Sequence, residues 1–242
     1  MRLVLLVALL LGGACARADF LGVYAGAGYW NASFSGDVIA GVSVEDELNI
    51  DRSNSRYVYI AFEHPIPLVP NIKLAHTTLK DSGVGTLAQG ITFNGEVFTA
   101  SQAISSEINL THTDVTLYYE LLDIGMDFDV GITGRYFQGD VAVNSSREGL
   151  NVLVPMLYGH AKFGLPLTGA YFSGDINYAN YSGNQIADYV IALGWETESF
   201  ILPEIGIEAG YRSFSIDAGA DDLDVNVDTQ VDGVFINLKA HF

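Results

Sequence analysis

The chain has 242 residues, and its 29 Asp and Glu against 11 Lys and Arg give a formal charge of −18. That imbalance argues against a nucleic-acid partner, whose phosphates need a basic surface. Apolar residues make up 49% of the chain, yet no run after residue 18 reaches the roughly 18 apolar residues of a membrane-spanning helix.

Met1-Arg2 followed by Leu3 to Leu11 reads as a positive n-region and a short apolar h-region, and Ala16-Arg17-Ala18 supplies a small-x-small cleavage pattern. The expected organisation is a cleaved secretory signal over 1–18 and one domain over 19–242. A competing reading lipidates Cys15 after Gly13-Ala14, although Gly12 stands where such signals usually carry Leu or a similar residue. Cleavage after Ala18 removes the single cysteine, and disulfide or thiol chemistry goes with it.

Ten extended segments follow, each alternating with period two and none holding a 3.6-residue period. Leu21 to Trp30 puts Leu21, Val23, Ala25, Ala27 and Tyr29 on one face and mostly Gly on the other, where small residues leave room for large ones opposite. Ser35 to Asp51 reads as a polar outer loop. Tyr57 to Glu63 is the second strand, the prolines of His64 to Asn71 form a turn, and Ile72 to His76 begins the third strand. Between Asp81 and Ser106, with Asn94-Gly95 as a hairpin signal, two strands are expected to project as a small β-finger.

The fourth strand sets Thr113, Val115, Leu117, Tyr119 and Leu121 against His112, Asp114, Thr116, Tyr118 and Glu120. After a turn at Leu122 to Gly125, the fifth carries Met126, Phe128, Val130, Ile132 and Tyr136 against Asp127, Asp129, Thr133 and Arg135. A polar loop at Asn144 to Gly149 leads to the sixth, Leu153 to Phe163, where Pro155 sits awkwardly. The seventh (Phe172 to Tyr178), eighth (Ala187 to Trp195) and ninth (Ile205 to Arg212) continue the pattern, and Ser215 to Asp232 is a second acidic loop. Val234 to Phe242 closes the chain, alternating to its last residue, an aromatic.

Most connections alternate between short turns with Pro or Gly and longer polar loops, the asymmetry of an outer-membrane barrel. An even strand number puts both termini on the periplasmic side. Alternation alone does not say which face points inward. A charge on the lipid face costs about 2–4 kcal/mol at midplane, so in a membrane Glu63, Lys73, Asp114, Glu120, Asp129, Arg135, Lys162, Asp188, Glu208, Arg212 and Lys239 all face the lumen. The expected fold is therefore all-β: a single antiparallel transmembrane β-barrel of about ten strands, eight if segments are miscounted.

Leu21 to Trp30, Glu63 to Asn71, Leu110 to Glu120 and Glu208 to Ser213 resemble a small family of Gram-negative outer-membrane β-barrel proteins, and the terminal Phe242 resembles the signal read by the barrel-assembly machinery. The resemblance implies fold and location and brings no established activity.

The inward charges carry both signs, with Arg135 and Arg212 as expected hubs and Asp114, Asp129, Glu120 and Glu208 as their partners. A mostly filled polar lumen with a structural or permeability role at the cell surface is the leading expectation. The alternatives are a narrow channel for ions or small solutes, and an outer-rim enzyme or receptor. His76 and His112 lie on paired strands with Asp114 nearby, a general-base arrangement, but no nucleophile elbow accompanies them and no enzyme is expected. Asp222 to Asp228 begins like a calcium loop, yet Thr229 replaces the required Gly and Phe235 the bidentate Glu. An acidic strand face above the membrane fits it better. Outer-membrane lipid and lipopolysaccharide are the expected partners, with weak divalent cations at the acidic loops and no cofactor.

Overall fold

Each alternating segment has one greasy and one polar face, and an open sheet of such segments leaves two edges unpaired. A computed structural model of the chain, describing residues 21–39, 41–123, 126–197, 203–219 and 227–242, removes both edges by closure. In chain order the strands are β1 (Gly22–Val38), β2 (Val42–Ser43), β3 (Arg52–Glu63), β4 (Asn71–Thr78), β5 (Lys80–Thr86), β6 (Ile91–Phe93), β7 (Glu96–Phe98), β8 (Ala103–Asn109), β9 (His112–Asp123), β10 (Met126–Phe137), β11 (Gly139–Val143), β12 (Ser146–Leu150), β13 (Leu153–Gly164), β14 (Ala170–Tyr181), β15 (Asn184–Glu196), β16 (Glu204–Ala218) and β17 (Val227–His241). Among the described residues, ten of them make an antiparallel wall in the order β1-β3-β4-β9-β10-β13-β14-β15-β16-β17, and β17 pairs back onto β1. That seam runs from Tyr24↔His241 to Val38↔Val227. At its foot Phe242 N donates to Val23 O at 2.9 Å, and Val23 N to Phe242 O at 3.2 Å.

The apolar rows face outward. Tyr189, Ile191, Leu193 and Trp195 on β15, Ile205, Ile207 and Tyr211 on β16, and Val234, Ile236 and Leu238 on β17 are all exposed, while Asp188, Glu208 and Arg212 between them are buried. The pattern then inverts along the same strands. Past Tyr211, β16 turns Ser213, Ser215 and Asp217 outward and buries Phe214, Ile216 and Ala218. On β1, Trp30, Ala32, Phe34 and Val38 are buried, and the outward row changes from Val23, Ala27 and Tyr29 to Asn31, Ser33 and Asp37. One end of the barrel is thus greasy outside and polar inside, and the other has the polarity of a water-soluble protein.

The soluble-type end is capped. β5, β8, β11 and β12 form a four-stranded sheet in that order, continuing β4, β9, β10 and β13 beyond short breaks. The finger expected over 81–106 is therefore joined by β11 and β12, the latter drawn from the stretch read as a loop at 144–149. The hairpin β6–β7 turns at Asn94-Gly95, both with positive φ (46° and 76°) as a type I′ turn needs. The stretch 35–51 is not a solvated loop either. β1 runs through its start, and Val42, Val44, Leu48 and Ile50 tuck under the cap with no more than 1% exposure. Gly83 and Gly85 let this segment lie against β5, because a Cβ on either would run into the carbonyls of Glu47 to Asn49. The second acidic stretch is strand at both flanks, in β16 and β17. Residues 1–18 with Cys15, Ile124-Gly125 of the expected turn, and Asp222 to Asn226 of the calcium-like segment lie outside the described residues.

Pro155 pairs with Gly134 of β10, but β13 meets β14 only from Leu157 on, so on that side a missing N–H breaks no rung. Inside the greasy half, small residues make room for aromatic ones: Tyr171 lies across Gly194, its register partner, and a Cβ at Gly194 would enter the ring. Gly194→Val is expected to cost about 1–3 kcal/mol through overpacking, read as a lower urea midpoint for the barrel refolded in detergent.

Candidate functional site

Inward charges gather in two tiers. The upper tier lies just below the apolar core. Arg135 on β10 is directly opposite Asp114 on β9, and the guanidinium meets the carboxylate in a fork, Nε to Oδ1 at 2.9 Å and Nη2 to Oδ2 at 2.7 Å. Nη2 also reaches across the bore to Asp188 Oδ2 on β15 at 2.7 Å. Asp188 takes a second fork from Arg212 on the neighbouring β16, at 2.8 and 2.7 Å. One carboxylate thus holds two guanidiniums and ties opposite walls together. Arg212 stacks over Trp30 at 4.7 Å, and Arg135 lies 5.3 Å from the centre of the Phe214 ring. Above them Trp30, Phe34, Phe137 and Phe214 belong to the continuous apolar core that extends under the cap.

The lower tier lines a cavity of about 750 Å³, which runs from the arginines down to His64, Pro65, Glu204 and His241 at the short-turn rim. Away from that rim its lining ends at the ion cluster, Trp30 and Phe235. Lysines approach from three sides, each with a carboxylate: Lys73 with Asp175 at 3.7 Å, Lys162 with Glu196 at 2.6 Å and Lys239 with Glu208 at 3.1 Å. Tyrosine rings fill the gaps. Lys73 lies 5.3 Å from the Tyr59 ring and 5.5 Å from that of Tyr158, and Lys239 lies 5.0 Å from Tyr171. Glu63 accepts the Tyr118 hydroxyl at 2.7 Å.

All eleven charges assigned to the lumen from sequence sit on the inner face and line the cavity, with Glu120 exposed at its short-turn end. The expected pairing needs correction. Asp114 does partner Arg135, but Glu208 sits with Lys239, Glu120 lies at the far end of the bore from the arginines, and Asp129 makes no ion pair with either arginine. Asp188 takes that place. Asp175, which also binds His160 Nδ1 at 3.1 Å, was on the polar face of its segment but not among the chosen charges. The inward tyrosines gave no signal distinct from a girdle aromatic.

The histidine arrangement does not assemble. His76 points outward and its Nδ1 lies 3.0 Å from Thr113 Oγ1, whereas His112 is buried inside, with Nδ1 2.8 Å from Leu110 O and its ring packed near Phe137 and Phe214. No group of three or more His, Cys, Asp or Glu is disposed to hold a metal ion among the described residues. In comparisons with known proteins, the chain matches no family model and no curated sequence.

Removing one member of a buried ion cluster strands the charges it held. Asp188→Ala is expected to destabilise the barrel by about 3–5 kcal/mol, and adding Arg212→Met should recover part of that loss. Urea unfolding followed by tryptophan fluorescence measures both.

Proposed function

We propose that the chain is an integral outer-membrane β-barrel of the Gram-negative kind it resembles, exported by a signal over 1–18, with a mostly filled bore and a structural or permeability role at the cell surface. The observation that carries this reading is the inversion of polarity along single strands. A soluble barrel has no reason to turn Ile191, Leu193 and Ile236 to water while burying Arg135, Asp188 and Arg212, because each greasy side chain forgoes about 1.5–3 kcal/mol of burial. Acyl chains reverse that preference. On β10 the outward row from Met126 to Tyr136 rises about 25 Å at a tilt near 40°, the height of an outer-membrane apolar band.

Aromatic side chains mark both borders of the belt. Tyr29, Tyr136, Tyr189 and Tyr211 stand where the outer face turns polar, and Phe62, Phe128, Phe163 and Trp195 stand near the short turns. Trp195 Nε1 donates to Thr168 O at 3.1 Å and Tyr119 Oη to Leu68 O at 3.0 Å, each with its ring on the belt and its polar atom at the turn. In this placement the short turns and both termini are periplasmic and the cap is extracellular. The acidic outer row Asp37, Asp217 and Asp228, register neighbours on β1, β16 and β17, then faces the lipopolysaccharide zone, where weakly held divalent cations would relieve its repulsion.

The narrow-channel alternative is disfavoured by the ion cluster that crosses the bore and the buried apolar core above it, and no observation favours catalysis. In planar bilayers the refolded protein is expected to give no reproducible conductance steps; regular openings would reject the filled bore. Leu193→Arg, in the middle of the belt, should lower folding stability in lipid vesicles by about 2–4 kcal/mol, whereas Ser215→Arg, above the belt, should leave it nearly unchanged. Equal effects would reject the membrane placement.

A further inference from the structure

Charge is unevenly matched in this cavity. Its lining holds ten carboxylates against five lysines and arginines, and each of those five cations already contacts a carboxylate. Asp129 is the carboxylate left over. It is 8% exposed, points into the bore from β10, and its side chain makes no hydrogen bond or ion pair among the described residues. Its register neighbour on β13, His160, is held by Asp175, and its neighbour on β9 is another acid, Glu120. Like charges directly opposite on paired strands repel, and a buried carboxylate without a partner is costly.

We propose that this cavity binds a small organic cation, a di- or polyamine entering from the short-turn end and anchored by Asp129. Ammonium groups suit it better than a bare metal ion, because no metal-holding group of side chains is present among the described residues. Tyrosine faces line the path: Tyr118 and Tyr158 form an edge-to-face pair with centroids 5.9 Å apart, and aromatic faces attract alkylammonium groups. The volume, about 750 Å³, falls within the range of small-molecule sites, about 300–1,000 Å³. An anion such as phosphate would have to displace the carboxylates from the lysines. The proposal goes beyond the membrane placement, since it needs only the closed barrel.

Isothermal titration of the folded protein in non-ionic detergent with spermidine, putrescine, magnesium and inorganic phosphate tests it. Spermidine is expected to bind saturably, one per barrel, with a Kd below about 1 mM. Asp129→Asn should weaken it about tenfold or more, Asp129→Glu should retain it, and Asp217→Asn, on the outer surface, should change nothing. Ala61→Phe, which narrows the cavity from β3 without altering a charge, should weaken binding too and serves if Asp129→Asn does not fold. Absence of saturable amine binding overturns the site, as does binding indifferent to both cavity variants, tighter binding of phosphate, or magnesium binding that matches spermidine.

Discussion

Closure of β17 onto β1 is the constraint from which the rest of the structure follows. Once Tyr24 pairs with His241 and the ladder runs to Val38 and Val227, the ten-stranded wall is closed among the described residues and has an inside and an outside. Period-two alternation then commits every side chain to one or the other. The charged rows go inward together, into a bore too narrow to keep them apart, and they must find one another. The outward rows are left greasy, and the proposed membrane placement rests on them.

The bore is layered by what each level can satisfy. At the capped end apolar side chains meet under β5, β8, β11 and β12 and exclude water. Below them the forks joining Asp114, Arg135, Asp188 and Arg212 end the apolar layer with paired charge and aromatic stacking. Farther down, lysines and acids face a cavity open to the short-turn end. A buried ion cluster of this kind is a weak source of stability, since desolvation offsets most of the attraction. Its stronger role is geometric: Asp188 ties β15 to β10 across the bore and so holds the floor of the core in place.

The wall was legible in the sequence because alternation is local. All ten barrel segments, their greasy faces and the inward set from Glu63 to Lys239 could be read from neighbours two residues apart. Arg135 with Asp114 was legible too, since they face each other on consecutive strands joined by a short turn. The cap was not. Val42, Val44, Leu48 and Ile50 are scattered among Asp, Glu, Ser and Gly, and a stretch so mixed reads as a loop until something is found above it to cover those residues. His76 and His112 illustrate the opposite error: their strands are paired, but the offset puts one ring outside the wall and the other inside.

Residue order alone determined the extended segments of the wall, which side chains share a face, and where the short turns fall, because each depends on bonds and contacts a few residues long; it left the strand number at eight or ten. Three-dimensional closure decided that Asp188 rather than Asp129 or Glu208 joins the arginines, that this ion cluster crosses the bore, and that Asp129 is left facing a cavity. Contacts across a bore depend on the curvature and stagger of the whole wall, and no short stretch of chain carries that information.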